Sequence, residues 1–307
     1  MLLRRLTSRW TLGWLLAALG VPLLLVTALL VGYALTGGPA PTPAGAPGGV
    51  APVDTPTEPP APTRTAAESV PPAAPAPADL PVVTYEPAPG GFPADPGRGD
   101  LRPLSEGLTP SRRVAAYDAP GGRPLAFLAP TISGVPLTTP IVERRAGWTA
   151  VLLPSANRRI AWLPAGGWTT VALPDQLVVE RGSHRLTWHR SGRVVRSWAV
   201  SLGKPGQSTP LGRTFILGRT PPPQSVYGGV DIFALGAIPD DPDAVPTGLG
   251  GAHIGLHSWY TDATLGKDVT NGCIRLTRSG QRQLLAELPA GTSVVVVDQL
   301  ATPPPAA

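Results

Sequence analysis

A single cysteine in 307 residues, Cys273, sits in the run Thr270-Asn271-Gly272-Cys273-Ile274-Arg275-Leu276. A thiol is a useful nucleophile only as thiolate, so it needs a neighbour that lowers its pKa or takes its proton. His257 lies sixteen residues upstream, and the stretch 258–269 is long enough to fold back and bring imidazole to sulfur. Gly272 puts no side chain beside the nucleophile, which lets a substrate carbonyl approach the backbone. The N–H groups of Gly272 and Cys273 are then candidates for an oxyanion hole, where losing one donor typically costs about 10²–10³ in rate.

A cysteine on its own is most often a small buried hydrophobe. Here it follows a glycine in a turn flanked by polar residues. The chain also carries export signals, and outside the cell a free thiol is an oxidation liability that needs a reason to persist. Other chemistries find few ligands. One cysteine excludes an intrachain disulfide framework and a cysteine-cluster zinc site. His253 and His257 mimic an H-x-x-x-H zinc pair, but that pair needs a helix. Gly255 between β-favouring residues argues for a strand, where positions four apart lie about 13 Å from each other. His184 and His189 read as surface hairpin residues.

The elements that must position this chemistry are short strands. Around the cysteine, 177–180, 185–190, 193–201, 215–219, 252–257 and 293–297 read as β, with Ser191-Gly192 as a two-residue hairpin turn. Residues 277–287 have helical spacing, with Ser279 as candidate N-cap and Leu284, Leu285 and Leu288 on one face. Residues 220–249 are loop-rich. A second, smaller β unit precedes it at 111–172, with strands at 113–118, 124–128, 139–144, 148–153 and 159–163. Pro120-Gly121-Gly122, Ser133-Gly134, Ala146-Gly147 and the turn 155–157 separate these strands. Residues 81–110 show little periodicity and stay unassigned. The fold class is mostly β with one late helix.

The chain has 41 Pro and 36 Gly with only 15% charged residues, more proline than a compact domain carries, so a sizeable part must be linker. Residues 10–35 contain no charge, which exceeds the roughly 20 residues needed to cross a bilayer as a helix. Arg4, Arg5 and Arg9 precede this run and no basic residue follows closely, which places 1–9 in the cytoplasm and the rest outside. We read 10–35 as a transmembrane signal anchor; the alternative, an atypical cleaved signal peptide, also exports the chain. Residues 36–80, nearly all Pro, Ala, Thr and Gly, cannot bury enough apolar surface to order and form an extended spacer of about 130 Å. Residues 300–307 form a disordered tail. The net charge of +5 is spread over scattered arginines without the aromatic interleaving of a nucleic-acid groove, so nucleic acid is not an expected partner.

Ile254-Gly255-Leu256-His257-Ser258, followed by Asn271-Gly272-Cys273-Ile274-Arg275-Leu276, resembles the L,D-transpeptidase catalytic (YkuD-like) family. Thr209-Pro210-Leu211-Gly212-Arg213-Thr214-Phe215 and Phe233-Ala234-Leu235-Gly236 resemble two further stretches of that family. The resemblance covers 173–299 and implies a β-sandwich catalytic domain with one or two short helices. Tyr117-Asp118-Ala119-Pro120, Gly147-Trp148 and Ala161-Trp162-Leu163 resemble a bacterial SH3-like, wall-associated module; the alternative is an ordinary small β domain packed on its neighbour.

The family resemblance implies acyl transfer on peptidoglycan stem peptides. Cys273 would attack the carbonyl before the terminal D-Ala of a tetrapeptide and pass the thioester to another stem as a 3→3 cross-link. His257 carries over as general base, Ser258 as its backbone orienter, and Gly272 with Cys273 as oxyanion donors. Arg275, Asn271 and Thr270 carry over as the substrate-binding set. No metal or organic cofactor is implied, and carbapenem-type β-lactams are expected to acylate Cys273. One departure stands out: the family usually has histidine where this chain has Asn271, which bears on pH optimum and acceptor preference. L,D-carboxypeptidase, protein-to-wall transferase and non-catalytic wall binding are the alternatives.

Overall fold

In the computed structural model the described residues are 69–222, 224–236 and 254–300. The expected cytoplasmic N-terminus, the span at 10–35, linker residues 36–68, the tail after Leu300, and His253 lie outside them. Among the described residues no helix is long and apolar enough to cross a membrane.

The first unit is built from short apolar runs cut by tight turns. Its strands are β1 (Glu106–Pro110), β2 (Val114–Tyr117), β3 (Pro124–Leu128), β4 (Thr131–Ile132), β5 (Val135–Pro136), β6 (Thr139–Arg145), β7 (Trp148–Leu152), β8 (Ile160–Leu163) and β9 (Trp168–Ala172). Seven of them pair in the order β3-β2-β8-β7-β6-β1-β9, and β4 and β5 pair separately. Ser133-Gly134 and Ala146-Gly147 each supply two successive residues at positive φ (48° and 80°, 47° and 77°). That is the backbone a two-residue hairpin needs to match strand twist. Strands β7 and β8 are buried along their whole length.

Two segments depart from expectation. Residues 69–80 pack on the folded body as an extended strap, although the sequence places them in a disordered linker. Residues 81–105, unassigned from sequence, wrap the module and lead into β1. Val83 N–H donates to Phe127 C=O and Phe127 N–H to Pro81 C=O, both at 2.8 Å. The Asn157 amide bonds both the N–H and the C=O of Ala88, at 3.0 and 2.9 Å. Single bridges and side-chain-to-backbone bonds of this kind leave no hydrophobic period to read.

The second unit holds β10 (Asp175–Glu180), β11 (Arg185–Arg190), β12 (Arg193–Ala199), β13 (Leu202–Gly203), β14 (Gly212–Thr220), β15 (Ile232–Leu235), β16 (Gly255–Ser258), β17 (Asp268–Thr270), β18 (Ile274–Leu276) and β19 (Ser293–Val297). Eight of these form one sheet, β12-β11-β10-β19-β14-β15-β16-β18, with β13 and β17 paired beside it. Its two ends close on one core, where Leu177, Val179 and Trp188 meet Phe233, Leu256 and Ile274. This is the expected mostly-β, sandwich-like fold. Helix α1 (Arg278–Glu287) is capped by Thr277, whose hydroxyl accepts from Gly280 N–H at 3.0 Å. Ser279, the cap expected from sequence, sits inside the first turn instead.

Strand β14 belongs to both cores. Its alternation sends Phe215 and Leu217 into the core of the first unit and Ile216 into that of the second. A buried ion pair sits beside it: Arg213 Nε donates to Asp95 Oδ2 at 2.6 Å, with a second contact between Nη2 and Oδ1. Arg158, also buried, donates from Nη1 to the Leu211 carbonyl at 2.5 Å. Burial, helped by Arg98, pushes the Arg158 guanidinium down to about 10, while Asp95 opposes the shift. Gly212 has φ +102°, and a Cβ there would lie 2.3 Å from Arg158 Nη1, so this turn admits only glycine. Removing one partner of such a buried pair strands the other charge, at a cost of about 3–5 kcal/mol. We therefore predict that Asp95→Ala lowers unfolding free energy by about that amount in urea titrations; a loss under about 1 kcal/mol would contradict it.

Candidate active site

Parallel strands cannot be joined by a hairpin; they need a crossover of a dozen or more residues. β16 and β18 are parallel neighbours in the register Leu256↔Ile274, His257↔Arg275 and Ser258↔Leu276. The sixteen-residue spacing between His257 and Cys273 is thus the length of this crossover. The crossover is tied down by β13–β17 pairing, by Lys204 N–H to Thr270 C=O at 2.9 Å, and by Ser201 Oγ to Thr264 C=O at 2.7 Å.

Alternation decides which face carries chemistry. Leu256, Ile274 and Leu276 point into the core. Gly255 and His257 on β16, with Cys273 and Arg275 on the opposing chain, therefore share the other face. One step back in register from Leu256↔Ile274, Gly255 faces Cys273, and its N–H points at Sγ, 3.4 Å away. His257 is the next residue on that face, about 6.6 Å along the strand. A Cβ on Gly255 would lie 3.6 Å from His257 Cδ2 and 3.1 Å from Ile232 Cγ2. A side chain at this position would thus press on Ile232 and touch the imidazole edge, so glycine leaves both undisturbed.

His257 is buried, and its Nδ1 lies 2.8 Å from the Ser258 carbonyl. A carbonyl can only accept, so Nδ1 carries the proton and Nε2 keeps its lone pair. Burial, aided by the Arg275 charge, pushes the imidazole down to about 4 from 6.5, and the Ser258 bond offsets only part of this. Ser258 Oγ in turn donates to the Tyr227 carbonyl at 2.8 Å.

Cys273 is a free, partly exposed thiol. The packing around it pushes the thiol pKa up, against the Gly255 N–H and the Arg275 charge, which pull it down. Thiol and imidazole are both neutral at rest.

The turn before Cys273 is organised by Thr270. Its hydroxyl accepts from Gly272 N–H at 3.2 Å and donates to the Cys273 carbonyl at 2.6 Å. Gly272 has φ +101°, and a Cβ there would press on Ile254 Cδ1 at 2.8 Å. Two assignments made from sequence need correction. Gly272 N–H is already engaged by Thr270, so it is not a free oxyanion donor. Thr270 is 1% exposed and holds the turn from inside, so it does not face substrate. Asn271 is exposed.

Arg275 is half-buried, with its guanidinium carbon 3.7 Å from the Trp259 ring centroid. Among the described residues its Nε has no hydrogen-bond partner. Tyr227 packs edge-on against both His257 (4.8 Å between centroids) and Trp259 (5.3 Å). Tyr227 and Trp259 escaped the sequence reading. Trp259 is signalled only by its place two residues after His257, and Tyr227, thirty residues upstream at the end of a 3-10 turn (Ser225–Tyr227), by nothing. Gln281 also escaped it. Fully buried on α1, it donates to the carbonyls of Leu256 at 3.0 Å and Asp231 at 2.9 Å, pinning β16 from behind. Its signal was legible: a polar residue at the i−3, i−4 and i−7 position of the Leu284, Leu285, Leu288 stripe.

Between about pH 4 and 6.5 the folded imidazole binds fewer protons than the unfolded chain, so His257 makes stability rise with pH across that window and fall as pH drops through it. We predict an NMR titration midpoint for His257 near 4; a midpoint at 6.5 or above would contradict its burial against Tyr227 and Ser258.

Residues 174–296 match the family model described as the L,D-transpeptidase catalytic domain, YkuD. The chain is 28% identical over 155 residues to YkuD of Bacillus subtilis, covering 48% of this chain and 85% of that protein. It is 24% identical over 220 residues to L,D-transpeptidase 1 of Mycobacterium tuberculosis, covering 62% and 87%. A solved L,D-transpeptidase from Mycobacterium smegmatis aligns with TM-score 0.33 and 17% identity over 52% of this chain and 77% of that one. Residues 174–296 are an L,D-transpeptidase catalytic domain of the YkuD family.

Proposed function

We propose that this domain releases D-Ala from peptidoglycan tetrapeptide stems through a thioester on Cys273 and passes the acyl group to a second stem as a 3→3 cross-link. The observation that carries this reading is the shared face of Cys273 and His257 across the β16–β18 pair, with the Gly255 N–H at the sulfur. Neutral His257 Nε2 takes the thiol proton as sulfur attacks the carbonyl, a contribution of about 10²–10⁴ in rate. Ser258 C=O stabilises the imidazolium that forms. The Cys273 N–H serves as oxyanion donor, with Gly272 supplying the turn that aims it. The imidazolium returns the proton to the departing D-Ala amine as the C–N bond breaks. The side-chain amine of the acceptor stem then attacks the thioester, loses its proton to His257 and frees the thiol. Water in place of that amine yields the carboxypeptidase product.

Arg275 suits a substrate carboxylate, because its Nε is unpartnered among the described residues and its guanidinium lies over the Trp259 ring. Asn271, on the exposed rim, is placed to meet the acceptor. The same nucleophile suits acylation by carbapenem-type β-lactams. With the span at 10–35 as anchor, the domain works on the wall side of the cell membrane, and the SH3-like reading of 111–172 makes that module a wall-facing part.

Mass analysis of products from a defined disaccharide-tetrapeptide tests the proposal. Cys273→Ala should abolish both D-Ala release and 3→3 dimer, and full activity of that variant would overturn the mechanism. His257→Ala should lower turnover by about 10²–10⁴, with unchanged turnover reassigning the base. Asn271→His should stay active with a shifted pH profile.

A further inference from the structure

The strap 69–77 reads Ser-Val-Pro-Pro-Ala-Ala-Pro-Ala-Pro, with prolines at 71, 72, 75 and 77. Proline fixes its own φ near −65° and steers the residue before it toward extended backbone, so this segment is pre-set for a polyproline II helix. Such a helix has three residues per turn, so carbonyls three apart lie on one face. The structure uses that spacing. Trp148 Nε1 donates to the Pro71 carbonyl at 2.9 Å, and Tyr117 Oη donates to the Ala74 carbonyl at 2.6 Å. Pro71 and Ala74 are half-buried, while Pro72, Ala73 and Pro75 between and beyond them are exposed.

The surface that receives the strap belongs to the first unit. Tyr117 and Trp148 meet edge-to-face with centroids 5.0 Å apart and present two donors to the two carbonyls. Gly121 and Gly147 flank them at positive φ. A Cβ on Gly121 would lie 2.7 Å from Pro71 Cβ, and one on Gly147 would lie 2.9 Å from Val70 Cγ1. The two turns therefore clear the floor on which the strap lies. Aromatic rings with outward donors and no obstructing side chains are what recognition of proline-rich chain requires. Tyr117 and Gly147-Trp148 stand out in the sequence, and the catalytic chemistry gives them nothing to do.

We propose that Tyr117, Trp148, Gly121 and Gly147 form a receptor groove for extended proline-rich peptide, and that residues 69–77 of this chain occupy it reversibly. The contact consists of two side-chain donors and small apolar contacts, without a backbone ladder, so it can open without unfolding the module. Docking fixes where the proline-rich spacer leaves the folded body.

The test follows the Trp148 indole N–H in the full chain, in detergent micelles, labelled with ¹⁵N-tryptophan and assigned by Trp148→Phe. In the unaltered chain this proton should exchange at least about tenfold more slowly than an exposed indole. Replacing Pro71, Pro72 and Pro75 by glycine should remove that protection and leave the signals of the other described tryptophans in place. A synthetic 69–77 peptide added to the variant should restore it saturably, and a peptide with glycine for every proline should not. Tyr117→Phe, which deletes one hydroxyl, should weaken the restoration. Protection that survives the glycine variant, or that the peptide fails to restore, would overturn the receptor assignment.

Discussion

The site depends on one pairing. β16 and β18 run parallel, in a register that sets His257 beside Arg275 and so Gly255 beside Cys273. A slip of one residue would turn imidazole or sulfur to the opposite face, because side chains alternate with period two. The register is held from both sides. Leu256, Ile274 and Leu276 are locked in the core, and Gln281 grips the Leu256 carbonyl from α1. The crossover is fastened by Thr270, whose hydroxyl bonds both Gly272 N–H and the Cys273 carbonyl.

That framework sets the electrostatics. Packing raises the Cys273 thiol and lowers His257, so neither group is charged at rest. The uncharged pair avoids the desolvation cost of a buried ion pair. It leaves Arg275, over the Trp259 ring, as the positive charge beside the pair. An anionic substrate group meeting Arg275 would reduce its depression of the imidazole, which couples binding to the base in the proposed transfer. The larger frame is shared as well: β14 alternates between two cores, so the module and the catalytic sheet cannot pack independently.

Much of this was legible in the chain. The Gly-Cys turn, the upstream histidine, the strands at 124–128, 185–190 and 293–297 and the late helix follow from residue type and spacing. The Ser191-Gly192 turn is visible as a dipeptide, and its φ values of 51° and 75° are those of a tight hairpin. What escaped has a common physical cause. Residues 69–105 are held by isolated bridges, by Asn157, by the Asp95–Arg213 pair and by two aromatic donors, none of which leaves a period in sequence. Tyr227 reaches His257 from a 3-10 turn thirty residues away, a purely tertiary contact. Thr270 carried over from the family resemblance as a substrate contact, yet its side chain turns inward; the direction of a turn side chain cannot be read from its neighbours.

The central claim is that Cys273 carries the acyl group after His257 takes its proton. Intact-protein mass spectrometry of an acid-quenched mixture with a disaccharide-tetrapeptide tests it most directly. The account predicts an adduct equal to the donor less alanine, located on the peptide containing Cys273 and strongly reduced when His257 is replaced by alanine. An adduct on any other residue, or cross-linked product formed with Cys273 never modified, would contradict it.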